Sequence, residues 1–291
     1  MNREPEWVDL HVHTTASDGT LTPAEVVALA RKVGLKAIAI TDHDTVTGVR
    51  EGVEAGQTVG VEVIPGVEIG VQHHSGQMHI LGYFLDTTSP DLLESLSRLQ
   101  EYRDERNPKM AARLRELGFQ VTMEEVAAIA GGDIVGRPHF ATLLVKKGYA
   151  TDNQEAFDSF LAYGRPGYIP KDRLTPEEGI KCITRAGGLA VLAHPGYLKE
   201  SDDAESMRSL LRQLKQWGLT GVEAYYSIHS LRDEELLLQL AAEEGLLVTG
   251  GSDFHGKNKP QIGLGSGCGN LRIPYQLAEL LQQKWQRTKN S

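Results

Sequence analysis

The chain has 291 residues, 40% of them hydrophobic and 24% charged, with a formal charge of −9. That length suits one large α/β domain, or a domain with an insertion, and the composition is that of an ordinary globular protein. The acidic balance excludes a broad electrostatic grip on nucleic acid, which needs clustered Lys and Arg, but leaves room for a small phosphorylated substrate or one strand end in a pocket.

The first predicted strand runs into DLHVHTTASDG, residues 9–19. Val8, Leu10 and Val12 alternate with Asp9, His11 and His13, so strand geometry puts both imidazoles on one face and the apolar residues on the other. Two imidazoles pointing one way can ligate a metal, though the HxH spacing alone is read equally well as two structural histidines. Asp18, on the loop that follows, adds weight to the metal reading. Thr22-Pro23-Ala24-Glu25 is a capping box that starts a helix closed by Gly34. The second strand, LKAIAIT, runs into Asp42 and His43, and a Gly-punctuated helix follows over 46–60. A third strand, 61–65, leads to Glu68; a short loop with His73 and His74, both expected to be exposed, joins it to a fourth, MHILGYF, carrying His79.

From residue 91 the pattern becomes helical, with expected helices at 92–117, 123–130, 138–147 and 154–162. This reads as an insertion, and GRPHFA (136–141) and GRPGYIPK (164–171) are its distinctive segments. A second capping box, Thr175 to Glu178, restarts the earlier pattern. The strands GGLAVLAHPG, with His194, GVEAYYS, with Glu223 and Tyr225, and GLLVTGGSDFHG, with Asp253 and His255, then alternate with helices at 204–217 and 231–244. A last amphipathic helix covers 275–287. The glycine-rich 263–267 follows no strand and opens no helix, so it is not read as a phosphate loop.

Seven strands, mostly with helical crossovers, fit a parallel β/α barrel better than an open sheet, and in such a barrel the strand ends meet on one face where active sites are built. His11, His13, His43, Glu68, His79, His194, Asp253 and His255 all fall at or just past such ends. Six of the ten histidines and three carboxylates (Asp18, Glu68, Asp253) are thus nine potential ligands, enough for two or three ions at about three protein ligands each. A carboxylate such as Glu68 can bridge neighbouring metals, and divalent ions about 3.5–4 Å apart serve phosphoester hydrolysis. The expected units are a barrel over 1–95 and 174–291 and a helical cap over 96–173. The cap supplies the cationic candidates Arg137, His139, Arg165 and Lys171; Arg suits a phosphate because its fork donates two hydrogen bonds at once.

No apolar run approaches the roughly 18 residues of a membrane span, and the first ten residues lack the apolar core of a signal peptide. Cys182 and Cys268 sit in no metal spacing and read as reduced thiols of a cytoplasmic protein.

Taken together, HVH with Asp18, TDH at 41–43, PGVE ending at Glu68, His79, AHPG with His194 and SDFH with Asp253 and His255 resemble the polymerase and histidinol phosphatase (PHP) family of metal-dependent phosphoesterases, over about 5–95 and 175–270. GRPHFA and YIPK are similar to the branch holding the 3′,5′-nucleoside bisphosphate phosphatases, also described as 5′–3′ exoribonucleases (RNase AM). The resemblance implies a distorted (β/α)7 TIM-like barrel with two or three divalent ions, Mn first, with Fe or Zn as the other options. It implies that His11, His13 and Asp253 hold one ion, that Glu68 bridges to a second held by His79 and His194, and that Asp18, His43 and His255 hold a third. Asp42 is expected to orient an imidazole, and His229 to reach the mouth with Arg137, His139 and Lys171 as substrate contacts.

The implied reaction is direct hydrolysis by a hydroxide bridging two metals, with no side chain as nucleophile. The implied substrate is a 3′,5′-nucleoside bisphosphate, such as 3′-phosphoadenosine 5′-phosphate, which would give AMP, with extension to short RNA from its 5′ end. The alternatives are another small phosphomonoester such as histidinol phosphate, or a noncatalytic metal-binding barrel, whose mark would be missing ligands; here every ligand position is filled. Neither a membrane nor an extended nucleic-acid surface nor an obligate protein partner is expected.

Overall fold

Gly34, Gly60 and Gly245 close helices in the left-handed conformation, the Thr22 and Thr175 capping boxes form as the sequence implies and Ser230 adds a third, and the computed structural model describes residues 5–74, 76–130 and 134–290. The expected barrel and cap also include residues 1–4, 75, 131–133 and 291, which lie outside the described residues. Thr22 and Glu25 cap α1 (Pro23–Val33) reciprocally, and Gly34, at φ 82°, turns the chain from α1 into β2 (Leu35–Ile40). The strand before them is β1 (Trp7–Val12). After them come α2 (Val49–Val59), β3 (Glu62–His73) and β4 (Gly76–Tyr83). The insertion contains α3 (Pro90–Glu116), α4 (Met123–Ala130), α5 (Arg137–Lys146) and α6 (Asn153–Ala156). The barrel resumes with α7 (Pro176–Arg185), β5 (Leu189–Leu192), α8 (Ala204–Gln216), β6 (Leu219–Tyr226), α9 (Leu231–Glu244) and β7 (Leu247–Gly251), and ends with β8 (Ile273–Pro274) and α10 (Gln276–Lys289).

The strands lie in the order β7-β6-β5-β4-β3-β2-β1-β8. Beyond the last ladder bonds the ring closes between β1 and the end of β7, where the Asp253 amide donates to the His11 carbonyl at 2.9 Å and the His13 amide to the Phe254 carbonyl at 3.0 Å. The sheet departs from the seven parallel strands expected. A hairpin with no crossover helix joins β3 to β4, so β4 runs antiparallel to both β3 and β5. An eighth strand of two residues also pairs antiparallel with β1.

Both faces of the sheet are covered, which is why its strands read as nearly continuous apolar runs. One core cluster joins Val8, Leu10, Ala37, Ala39, Ile64, Leu81 and Val191 to Ala278 and Leu281 of α10. The larger one joins Val12, Ile38, Ile40, Val67 and Ile69 to helices α1, α7, α8 and α9. The strict alternation expected in β1 therefore fails. Its pairing with β2 shifts register between Asp9 and Val12, and Val12 packs in a different cluster from Val8 and Leu10. Such an irregularity re-aims the side chains that follow it.

The insertion has its own core, built on Met110, Ala111, Leu114, Val126, Phe140 and Leu144. α3 belongs to both units: Leu92, Leu96 and Leu99 lie in the barrel's larger cluster. The expected boundary at residue 96 thus falls inside a continuous helix. Among the described residues, no helix is long and apolar enough to cross a membrane.

Candidate metal centre and its cap

The strand ends deliver most of the expected ligands. His11 and His13 come from the end of β1 and the residue after it, His43 follows β2, His194 follows β5, and Asp253 and His255 follow β7. Two ligands arrive otherwise than expected. Glu68 lies in the middle of the twelve-residue β3, and His79 lies in the first half of β4, which reaches the same mouth because that strand is reversed. The backbone is bent to fit: His194 (φ 27°) and Asp253 (φ 57°) adopt left-handed conformations that non-glycine residues seldom take. Close approach also demands Gly251, since a Cβ there would lie 2.2 Å from His11 Cβ.

Glu68 is the hub. Its Oε1 lies 2.6 Å from His79 Nδ1 and 3.0 Å from His194 Nε2. Its Oε2 lies 2.9 Å from His43 Nδ1, 3.2 Å from His13 Nε2 and 3.3 Å from His11 Nε2. Asp253 Oδ1 stands 3.2 Å from His13 Nε2 and 3.6 Å from His11 Nε2. Asp18 Oδ1 stands 3.2 Å from His255 Nε2, with His13 and His43 each 3.8 Å from its carboxylate. Four overlapping groups of ligand atoms each fall within 4.8 Å: His13, Asp18, His43 and His255; His11, His13 and Asp253; His11, Glu68 and His194; and His43, Glu68 and His79.

Four of the atoms facing inward have no hydrogen-bond partner. His11 Nε2, both ring nitrogens of His13 and Glu68 Oε2 are buried without a hydrogen bond. Orphaned buried polar atoms are costly, and a nest of imidazole and carboxylate donors left so is what divalent ions would satisfy. Protons alone strain the nest. Burial holds His79 and His255 down to about 4, His255 further so by Lys259. Burial opposes charge on His13 as well, yet Asp253 and Glu68 outweigh it and lift that ring to about 9. Against burial, which would raise them, the imidazoles hold the carboxyls of Glu68 and Asp18 well below their usual range, and Lys259, with His255 and His11 after it, does the same for Asp253.

A surrounding layer fixes these donors. Glu223, wholly buried, places Oε1 3.0 Å from His11 Nδ1 and accepts the His194 amide on Oε2 at 2.7 Å. Asp253 divides its oxygens: Oδ1 faces the histidines, while Oδ2 accepts from Tyr226 Oη at 2.7 Å and Lys259 Nζ at 2.6 Å. Asp42 does not orient an imidazole. It accepts the Thr14 amide and hydroxyl, both at 2.7 Å, and the Ser17 hydroxyl at 2.6 Å, so it shapes the turn that presents Asp18. The glycine-rich 263–267 segment is likewise structural, with the Gly265 amide on Asp9 at 2.7 Å.

The cap's expected contacts sort unevenly. His229 does not reach out to a substrate: its Nδ1 lies 2.8 Å from the Ala224 carbonyl and its Nε2 accepts the Gly196 amide at 3.2 Å, so both nitrogens are used by backbone. His139 is buried and accepts the Gly136 amide on Nδ1 at 3.0 Å, capping α5. Arg165 is exposed on the turn after the insertion's last helical residues. Lys171 pairs with Asp44 at 3.2 Å, and Arg103 pairs with the same carboxylate. Arg137 lies over the rings of Tyr168 and Phe157, at 5.6 and 5.9 Å from their centroids. Arg106 and Arg173 complete a cluster dense enough for its members to repel one another: burial and neighbouring guanidiniums pull Arg106 down to about 9 and Arg137 to about 10. Asp44 sits directly after His43, and its amide donates to the Glu68 carbonyl at 2.9 Å, so the cluster adjoins the metal nest.

Sequence reasoning missed Glu223, Tyr226, Lys259, Asp44, Arg103 and Arg106 as site residues. A signal existed for Arg103: Gln100, Arg103 and Asn107 lie three and four residues apart, a polar stripe on one face of a helix, and Gln100 and Arg103 both reach Asp44. His73 and His74 are not both exposed loop residues, since His73's ring is buried and both rings contact Glu200.

The PHP domain family matches residues 9–217. The chain is similar to the 5′-3′ exoribonuclease Rnm of Escherichia coli (strain K12), 35% identical over 285 residues that cover 97% of this chain and 95% of the relative. It is also similar to the 3′,5′-nucleoside bisphosphate phosphatase of Chromobacterium violaceum, 33% identical over 249 residues, 85% of this chain and 87% of the relative. Among solved structures it resembles a Bifidobacterium adolescentis chain assigned to the metal-dependent phosphoesterases, with a TM-score of 0.86, 32% identity and coverage of 97% and 98%.

Proposed function

The chain belongs to the PHP domain family and is a metal-dependent phosphoesterase, and from that premise we propose that it removes the 3′-phosphate of 3′,5′-nucleoside bisphosphates and works from the 5′ end of short RNA. The observation that carries this reading is the cation cluster beside the metal nest. Arg106 and Arg137 have neutral described partners, Asn107 on the one hand and the Leu161 carbonyl with two aromatic faces on the other. Guanidiniums that repel one another, Arg106 buried and Arg137 partly so, are a prepared seat for an anion. A substrate with a single phosphate, such as histidinol phosphate, fills the nest and leaves that seat unused. A nucleotide or RNA end with two phosphates fills both. The barrel of 1–95 and 174–291 would then carry the chemistry, and the 96–173 cap the choice of substrate.

His11, His13 and Asp253 would hold one ion, Glu68 with His79 and His194 a second, and Asp18, His43 and His255 a third. Divalent ions so bound, Mn2+ first among them, supply an acidified water and positive charge at the phosphoryl oxygens. The chain's own part is to hold the donors still. Glu223 accepts the proton on His11 Nδ1, which leaves the Nε2 lone pair free to point inward. The Asp253 carbonyl, 2.8 Å from His255 Nδ1, does the same for His255 Nε2. Tyr226 and Lys259 keep Asp253 from rotating. Arg106, Arg137 and Lys171 bind the second phosphate and so set the scissile one against the nest, a positioning effect that accounts for much of the rate in such reactions.

The test is phosphate release by the Mn2+-loaded enzyme from 3′-phosphoadenosine 5′-phosphate, 5′-AMP, histidinol phosphate and a short 5′-phosphorylated RNA. Preference for the bisphosphate, with 5′-AMP as product, and a raised KM for it in Arg106→Met and Arg137→Met support the reading. Preference for histidinol phosphate, or an unchanged KM in both variants, overturns it.

A further inference from the structure

β3 is longer than its ligand requires. It runs five residues past Glu68, to His73, and the hairpin it starts carries two imidazoles away from the nest. Neighbouring residues on a strand point to opposite faces. Here the strand ends at His73 and the chain turns at His74, so the two rings come together, with centroids 4.1 Å apart. A carboxylate meets them: Glu200 comes from the 3-10 turn Lys199–Asp202. Its Oε1 lies 3.3 Å from His73 Nε2 and 3.2 Å from His74 Nε2.

We propose that His73, His74 and Glu200 form a second metal site, separate from the nest, that takes one Zn2+ ion. All three ligand atoms lie within 4.8 Å of one another, and the two Glu200–imidazole distances match the separation of ligands about an ion. With bonds of about 2.0–2.1 Å, two ligand atoms at tetrahedral corners stand about 3.3 Å apart. Glu200 is also incompletely satisfied, because its Oε2 is buried with no hydrogen-bond partner. A carboxylate that binds an ion through both oxygens removes that orphan. Two imidazoles and one carboxylate suit Zn2+ and its borderline neighbours, whereas Mg2+ and Ca2+ prefer all-oxygen sets. Two imidazole nitrogens and both carboxylate oxygens fill four positions, and Zn2+ has room for a fifth ligand. That fifth position opens on a cavity of about 660 Å³ lined in part by Gln72, Thr175, Ser206 and Gln213, polar side chains that can hold a water or a small anion there.

The site has a mechanical meaning. Glu200 stands six residues after His194, on the same excursion from β5, with Tyr197 between them. An ion bound at His73, His74 and Glu200 ties the β3–β4 hairpin to the segment that carries one ligand of the nest. It does so without sharing any residue with that nest.

The experiment counts metal in the full-length protein, freed of metal by chelation, saturated with Zn2+ and passed through a desalting column. The wild type is compared with His74→Ala, an exposed position whose loss leaves the core intact, and with Glu200→Gln. One Zn2+ fewer per chain in both variants, with a smaller Zn2+-induced rise in Tm and Mn2+-supported phosphatase activity within twofold of wild type, supports the site. Retention of the full count in either variant overturns it, and so does a loss of more than one ion together with the phosphatase activity, which would place these residues in the nest itself.

Discussion

Glu223 Oε1 lies 3.0 Å from His11 Nδ1 in a pocket closed to solvent, and the other oxygen of that carboxylate receives the His194 amide. One side chain therefore aims two ligands from opposite sides of the barrel. Its proton acceptance also fixes which nitrogen of His11 is free. Glu223→Gln keeps the shape and loses the charge. The variant should fold, and its half-saturating Mn2+ concentration should rise about 10–100-fold, with kcat largely recovered at high Mn2+. A metal-dependence curve superimposable on the wild type's would show that His11 needs no such partner.

Gly251→Ala should be costly although the change is one methyl group. The added carbon meets His11 Cβ at 2.2 Å, and His11 is held from behind by Glu223. Overpacking of this kind costs about 1–3 kcal/mol, read from urea unfolding, and should weaken metal binding as well. A variant as stable as wild type would mean that β7 can retreat from β1.

Lys171 gives the enzyme a pH signature. Burial pulls its ammonium down to about 7 even though Asp44 favours the charge, with Arg103 and Arg173 adding to the burial effect. The cation proposed to hold the second phosphate is present below that value and lost above it. The KM for the bisphosphate should therefore rise severalfold from about pH 6 to about pH 8.5, while Lys171→Arg, charged throughout, stays flat over that range. The sign for stability is the reverse. Between about 7 and the ordinary lysine value the unfolded chain binds the extra proton, so this residue makes folding more favourable as pH rises. Parallel KM profiles for the two proteins would remove Lys171 from phosphate binding.

His229→Ala should behave as a core lesion. Both ring nitrogens serve backbone groups, the Ala224 carbonyl and the Gly196 amide, and a Cβ at Gly196 would meet the ring at 2.7 Å. Loss of the ring strands the buried Ala224 carbonyl, at about 1–3 kcal/mol, and the part-buried Gly196 amide at less. Stability should fall with KM unchanged; a raised KM in a protein of wild-type stability would restore the histidine to the substrate pocket.

Most of the nine proposed ligands could be read from sequence because they are polar residues where an apolar strand pattern stops, and strand ends share one face in any β/α barrel. That argument places His11, His43, His194 and Asp253 without knowledge of the strand directions. It places Glu68 and His79 for the wrong reason, because a hairpin in place of a crossover reverses β4 and leaves no mark in the alternation of apolar and polar residues. Glu223 was hidden differently. It sits inside a strand, where a buried carboxylate looks like a break in the pattern until its two partners, 212 and 29 residues away, come into view. Arg103 and Asp44 are 59 residues apart and belong to different units, so only the folded chain brings them together.

α3 has one consequence beyond holding the cap in place. Leu92, Leu96 and Leu99 are set in the barrel's core, Met110, Ala111 and Leu114 in the cap's, and Arg103 faces Asp44 between them. The two cores are thus phased to each other by the pitch of a single helix. An insertion or deletion of one residue between Leu99 and Met110 would turn one core against the other by about 100° and slide it about 1.5 Å. Loops elsewhere in this chain can drift in length over evolutionary time; that stretch of helix has to keep count.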